Sequence, residues 1–255
     1  MIIDNDCILV ISDIHGHGDI LVNLLTEDAV KSARHTYILG NVIGYGNENK
    51  LTLQYLMHLK NLFEEKITFL KGSHEEVLIN AIVKTPRDFQ SEYFISKLHL
   101  EQVEDYLRTD SELLKLLSQY WGLSKTVCND RQYILSHGCI ESHIIDKQTN
   151  IKDLLAEAKE SKIVTKWGTL SRPLWFGSDY KYEMQYIETP FTLISGDFPS
   201  RWCFNDGRKD QPYTTSHYIN VDMGAKLPDG YLGMFILNDN GSRAIRKKAL
   251  KNTIQ

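Results

Sequence analysis

The stretch CILVISDIHGH, running from Cys7 to His17, decides how the rest of the chain is read. Its first half, Cys7 to Ser12, is short, apolar up to its last residue and β-branched at Ile8, Val10 and Ile11, so it reads as a buried strand. It stops at a polar, glycine-bearing turn, Asp13-Ile14-His15-Gly16-His17. From Asp19 the spacing becomes helical, with Ile20, Leu21, Leu24, Leu25 and Ala29 on one stripe. The alternation returns twice. Thr36 to Leu39 reads as a strand ended by Gly40, followed by helical spacing from Leu51 to Leu62. Ile67 to Leu70 reads as a third strand, followed by Gly72 and a helix from about Glu75 to Val83. Strands joined through helices predict a layered α/β fold with crossover connections.

Residues 86–122 break that rhythm. Leu98, Val103, Leu107, Leu113, Leu114 and Leu117 recur at helical steps, which predicts a helical insertion covering one edge of the sheet or the site. Strand signals resume at Tyr133–Leu135, Phe191–Ile194, Tyr218–Val221 and Tyr231–Leu237. The segment 172–215, rich in aromatics, Gly and Pro, reads as an ordered loop region lining a pocket. The basic stretch Arg243, Arg246, Lys247, Lys248 and Lys251 reads as a solvated helix or a frayed end. With no internal repeat or linker, residues 1–255 are expected to form a single domain carrying an insertion at about 86–122.

Composition narrows the function. The 255 residues carry 29 Lys plus Arg against 33 Asp plus Glu, for a net charge of −4. A general nucleic-acid or membrane-surface binder is usually basic, so both roles are disfavoured. The four cysteines, Cys7, Cys128, Cys139 and Cys203, form no Cys-x-x-Cys pair and read as buried reduced thiols. Met1 to Asp6 has no positive charge and leads into the first strand rather than into a signal peptide. No apolar run approaches the ~20 residues of a membrane span. A cytoplasmic location is expected.

The strand ends carry the chemistry. After the first three strands come Ser12-Asp13-Ile14-His15-Gly16-His17, Gly40-Asn41-Val42-Ile43-Gly44-Tyr45-Gly46 and Lys71-Gly72-Ser73-His74-Glu75. Later strands end in Ser136-His137-Gly138, Ser195-Gly196-Asp197 and Asp222-Met223-Gly224. In open α/β sheets, ligands bind where the carboxyl ends of strands converge. Asp and His one residue apart offer oxygen and nitrogen to the same space, a mixture that suits manganese, iron or zinc.

The series resembles the calcineurin-like metallophosphoesterases, in particular the phosphoprotein-phosphatase branch with its phage and bacterial Ser/Thr phosphatases and diadenosine-tetraphosphate hydrolases. That family runs Asp-x-His-Gly, Gly-Asp-x-x-Asp-Arg-Gly, Gly-Asn-His-Glu, His-Gly, Gly-His-Thr-Pro and Asp-Thr-Gly, and the resemblance spans residues 7–241. It implies a central β-sandwich flanked by helices and two metals bridged by an aspartate. Two such cations neutralise phosphate and activate a water. The resemblance makes Asp13, His15 and His137 metal ligands and His74 the acid–base residue.

Other positions depart from the pattern. Asn41 stands in place of the bridging aspartate, Ser73 in place of a ligand asparagine and Asp197 in place of a ligand histidine. Tyr45 takes the place of the first phosphate-binding arginine, and Lys71 keeps a positive charge before the histidine block. Gly44 replaces the aspartate that orients the acid–base histidine, so His74 is expected to lack that partner. An uncharged amide is a poor bridge between two dications, so at most one tightly held divalent ion (manganese, iron, zinc or magnesium) is expected. Such a mono-metal or rearranged site would use Asp13, His15, His137 and Asp197. Two functions stay open. One is a metal-dependent phosphoesterase acting on a phosphorylated small molecule or phosphoprotein. The other is a catalytically inactive phosphatase-like protein that binds a ligand or a partner.

Overall fold

The computed structural model of the chain describes residues 6–83, 89–118, 123–128, 130–138, 140, 153, 162–165, 168–171, 189–204 and 210–249. Strand β1 (Ile8–Ile11) lies parallel to β2 (His35–Ile38), with Ile8 opposite His35 and Ile11 opposite Ile38, and β2 lies parallel to β3 (Ile67–Phe69). On its other side β1 pairs antiparallel with β11 (Tyr231–Asn238), which pairs with β12 (Gly241–Lys248). A second mixed sheet contains β4 (Leu123–Cys128), β5 (Arg131–Ser136), β8 (Phe191–Ser195), β9 (Tyr213–Thr214) and β10 (Tyr218–Asn220), in the order β4-β5-β8-β10-β9. Strands β6 (Lys162–Thr165) and β7 (Gly168–Ser171) form a separate antiparallel pair.

The period of two in β1 explains why the first sheet is buried on both faces. Ile8 and Val10 join Tyr37, Leu39, Leu135, Ile194 and Phe235 in the core of the sandwich. Leu9 and Ile11 join the helical side, with Leu21 and Leu24 of α1 (Gly18–Leu24), Leu53 and Leu56 of α3 (Asn49–Leu62) and Leu78 of α4 (Ser73–Val83). All four β1 side chains are fully buried. Each such burial is worth roughly 1.5–3 kcal/mol, so one charged residue at Val10 would break the strand from its sandwich.

Three helices occupy the predicted insertion: α5 (Phe89–Lys97), α6 (Glu101–Thr109) and α7 (Ser111–Ser118). Ile95, Val103, Leu107, Leu113 and Leu117 extend the helical-side core, so the insertion covers that face of the first sheet. The apolar stripe from Ile20 to Ala29, read as one helix, is divided between α1 and α2 (Glu27–Ser32). Thr26 ends the continuity by capping α2, its Oγ1 accepting the Ala29 N–H at 3.2 Å. The basic stretch corrects the expectation of a helix or frayed end. Arg243 to Lys248 belong to β12, an edge strand paired over its whole length with β11. Its mostly exposed positive side chains leave that edge poorly suited to further pairing. Cys7, Cys128 and Cys203 are buried and in no disulfide, as read, while Cys139 and much of 172–215 lie outside the described residues. No described helix is long and apolar enough to cross a membrane.

Candidate metal centre

The loops leaving β1, β2, β3, β5 and β8 meet at one end of the sandwich. Their backbone is unusual: Asp13, His15, Asn41, Tyr45 and Asp197 all have φ between +47° and +66°. Left-handed backbone is uncommon for residues other than glycine and clusters at functional sites. The pairing of β1 with β2 continues into these turns through Asp13 N–H to the Gly40 carbonyl (3.1 Å), His15 N–H to Asn41 (2.9 Å) and Gly16 N–H to Val42 (2.9 Å). The loop after β8 joins the loop after β5, with the Gly196 N–H on the His137 carbonyl at 2.8 Å. Gly196 must be glycine, because a Cβ there would overlap Ser12 Oγ and Asp13 Oδ2.

Glu75, at the start of α4, fixes two of these loops together. Its buried carboxylate accepts the N–H groups of Asn41 (2.8 Å), Val42 (2.9 Å), Ile43 (3.4 Å) and Gly72 (2.8 Å). Burial raises its pKa, opposed by the His137 charge and by these N–H dipoles. With the loops so held, Asn41 Nδ2 donates to Asp13 Oδ1 at 3.1 Å and to Asp197 Oδ1 at 3.4 Å. Asn41 Oδ1 accepts from Ser73 Oγ (3.2 Å) and from the His74 N–H (3.0 Å). The Asp197 N–H donates to Asp13 Oδ2 at 2.8 Å, joining the two sheets.

One oxygen or nitrogen from each of Asp13, His137 and Asp197 lies within 4.8 Å of the others. The His137 Nδ1–H donates to the Leu39 carbonyl at 2.8 Å and aims Nε2 at Asp197 Oδ1, 3.3 Å away. A second hydrogen bond of this kind is how proteins fix the ligating nitrogen of a metal-binding histidine. His15 Nε2 stands 3.5 Å from Asp13 Oδ1. A divalent ion fits this donor set. His137 Nε2, both ring nitrogens of His15 and Asp222 Oδ2 are buried with no hydrogen-bond partner among the described residues, a state that polar groups rarely keep unless something binds them.

The charges are strongly coupled. Burial alone would raise Asp13, but His15 and His137 hold its carboxyl well below the usual carboxylate range. Burial alone would lower His137, but the Asp197 and Asp13 carboxylates push it up to about 9. His15 is driven the other way, to about 4, by burial and by the nearby Lys226, despite Asp13. Burial, reinforced by the charge of Asp13, raises Asp222 to about 8.

No carboxylate orients His74 among the described residues, and a main-chain oxygen stands in for it: the His74 Nδ1–H donates to the Ile43 carbonyl at 2.7 Å. A backbone oxygen does the positioning, and burial beside His15 holds the ring neutral, well below its ordinary pKa. Gly44 itself has φ +102°, and a Cβ there would meet His74 Nδ1 at 2.5 Å. Tyr45 stands over both histidines, its ring 5.2 Å from that of His15 and 5.4 Å from that of His74. The insertion holds it there, through the Tyr45 N–H on the Leu98 carbonyl at 3.1 Å. Lys71 is placed differently: its ammonium pairs with Glu76 at 2.7 Å, within its own loop and helix.

Sequence reasoning gave no role to three residues that shape this centre. Glu75 and Asp222 stand in the quoted strand-end blocks, but the four backbone donors on Glu75 and the Gly224 N–H on Asp222 Oδ1 (2.7 Å) are set by the folded loops and carry no mark in the sequence. Lys226 carried no signal at all. Its Nζ donates to the Asp197 carbonyl at 3.0 Å.

Comparison with known proteins agrees with this fold. The family model for the calcineurin-like phosphoesterases matches residues 8–200. No match was found among curated proteins. Among solved structures, a candidate diadenosine tetraphosphatase superposes with a TM-score of 0.57 at 14% identity, covering 95% of this chain and 94% of that one. A cold-active protein-tyrosine phosphatase from a psychrophilic Shewanella gives 0.59 at 15% identity, covering 96% and 80%. A metallophosphoesterase from Sphaerobacter thermophilus gives 0.52 at 14% identity, covering 98% and 90%. At these identities the structures speak for the fold alone.

Proposed function

Because the chain belongs to the calcineurin-like phosphoesterase family, we propose that it is a phosphoester hydrolase working with a divalent ion held by Asp13, His137 and Asp197, with His15, Asn41 and Ser73 around it. The observation that carries this reading is the convergence of those three ligand atoms, with His137 Nε2 and His15 Nε2 held beside carboxylates at 3.3 Å and 3.5 Å without a hydrogen bond to either. Mixed oxygen and nitrogen donors favour manganese, iron or zinc over magnesium. Asn41 supports one tightly held ion rather than two, because a neutral amide donating to both carboxylates adds no negative charge between cations. When bound, the ion supplies Lewis-acid polarisation of a phosphoryl oxygen and an activated water.

The remaining work falls to the protein. Asp13 and Asp197 fix the donor geometry, each held by the hydrogen bond between them. His74, with Nδ1 committed to Ile43, offers Nε2 to the reacting group. A phosphate dianion alongside raises the proton affinity of a buried imidazole, so His74 can take up a proton and pass it to the departing ester oxygen. Tyr45 closes the space above both rings. The family supports a phosphate ester as substrate class, on a phosphorylated small molecule or a phosphoprotein.

The test is calorimetric titration of manganese into chelator-treated protein, paired with manganese-dependent hydrolysis of an aryl phosphate. About one equivalent bound, with turnover lost in His74→Asn and metal lost in His137→Ala, is the expected result. Metal binding without turnover on any phosphate ester would instead favour a phosphatase-like binding protein, and no metal binding would remove the reading.

A further inference from the structure

The metal-centre reading leaves one demand unmet: a phosphate ester brings negative charge that the arginine of the family pattern, replaced here by Tyr45, does not meet, and Lys71 is engaged with Glu76. We propose that Lys226 is the residue that holds the phosphoryl group, its ammonium reaching into the centre from the loop between Gly224 and Gly230.

The placement rests on geometry. The loop is closed by Leu227 N–H on the Gly224 carbonyl (2.8 Å) and Gly230 N–H on Leu227 (3.0 Å), and Gly224 is bridged to Tyr231 at the start of β11. The residue before Lys226 is tied to the first strand's loop, since the Ala225 carbonyl accepts from His17 Nε2 at 3.0 Å. From this fixed base the Lys226 side chain runs inward and Nζ donates to the Asp197 carbonyl at 3.0 Å. Among the described residues the ammonium makes that one hydrogen bond, which leaves two of its donors for a ligand. The position faces the reacting space rather than a distant part of the loop. The ammonium is within electrostatic reach of His15 and His74 as well as Asp13, Asp197, Asp222 and Tyr45.

A cation among carboxylates could be a structural counter-ion only. Two features argue for more. Its hydrogen bond goes to a main-chain carbonyl and not to a carboxylate, and Asp222 Oδ2 stays unpartnered although its charge is felt by Lys226. An ammonium is a compact point charge suited to a phosphoryl oxygen, without the planar fork of an arginine.

This inference depends on the phosphoester reading, and the test separates the two. Inorganic phosphate is titrated calorimetrically into manganese-loaded wild type, Lys226→Met and Lys226→Arg, and manganese into the chelator-treated forms. The expected result is phosphate affinity reduced on the order of 10- to 100-fold in Lys226→Met, the weight of one charge-assisted hydrogen bond. Lys226→Arg should restore most of it, and manganese affinity in Lys226→Met should be unchanged or tighter because a like charge is gone. Unchanged phosphate affinity in Lys226→Met would overturn the assignment while leaving the metal centre intact. Loss of manganese binding in both variants would make Lys226 structural and also overturn it. A wild type that binds neither manganese nor phosphate would sink the phosphoester reading itself.

Discussion

Removing the carboxylate of Glu75 should damage both the fold and the metal centre, by amounts that its hydrogen bonds allow to be worked out. Four backbone donors on two loops share its two oxygens: Asn41 and Gly72 at 2.8 Å on Oε2, Val42 at 2.9 Å and Ile43 at 3.4 Å on Oε1. In Glu75→Gln one oxygen becomes an NH2 group. The less damaging orientation turns that group toward Val42 and Ile43, sacrificing one good bond and one long one. An orphaned buried donor costs about 1–3 kcal/mol, so with partial relief from no longer burying a charge, a net loss of roughly 2–3 kcal/mol follows. Glu75→Ala orphans all four donors and should lose about 4 kcal/mol or more. The Gln variant is the informative one, because it should still fold. Asn41 and His74 are positioned by the same loops, and loss of such outer support commonly weakens metal affinity about 10- to 100-fold. Urea unfolding at equilibrium and manganese titration read the two effects. A Glu75→Gln protein within about 0.5 kcal/mol of wild type, or more stable, with unchanged manganese affinity, would refute the argument.

Other outcomes can be checked on the same protein. Metal binding should release close to one proton at neutral pH, because His137 titrates at about 9 in the metal-free form and must be neutral to ligate. Affinity should therefore fall as pH drops below 9, and calorimetry in buffers of different ionisation enthalpy that finds no proton release would contradict it. The same shift stabilises the metal-free fold fully below the unfolded-state value of about 6.5, a contribution lost as pH rises through 9, visible as a falling urea midpoint. Gly44→Asp, which puts back the carboxylate of the family pattern, should reduce turnover and stability, since its Cβ meets His74 Nδ1 at 2.5 Å on a left-handed backbone; a rise in aryl-phosphate hydrolysis would show that the Ile43 carbonyl is not the working partner. Asn41→Asp should tighten manganese binding while lowering the thermal midpoint of the metal-free protein, because a third carboxylate then faces Asp13 and Asp197. Equal midpoints with and without chelator would count against it.

Much of this architecture was legible in the chain because hydrophobic period and strand-end polarity speak at the same places. The run from Cys7 to Ser12 gives β1 within a residue at each end, since a strand buried on both faces leaves an unbroken apolar signature. The strand-end blocks point to Asp13, His15, Asn41, Ser73, His74, His137 and Asp197, and the structure brings them together. What escaped was set by contacts remote in sequence. A basic, alternating stretch such as Arg243 to Lys248 looks solvated until its partner β11 is known. The acceptor of the His74 Nδ1–H is a main-chain carbonyl, which every residue has and no motif marks. Lys226 acquires meaning only because the loop after β10 delivers it next to Asp197.

The left-handed turns at Asp13, His15, Asn41, Tyr45 and Asp197 have an evolutionary consequence. Such a conformation opposes an L side chain by roughly 1–2 kcal/mol per residue, so something other than the residue's own preference must impose it. Here the mould is the main chain itself, with Asp13, His15 and Gly16 bonded to the carbonyls of the second loop and the second loop clasped by Glu75. The side chains at these positions are passengers on turns that others enforce. Selection can therefore exchange an acid for an amide or a histidine for an acid there and alter the chemistry without rebuilding the scaffold. A lineage with this arrangement can drift among metal stoichiometries and substrates while its fold stands still.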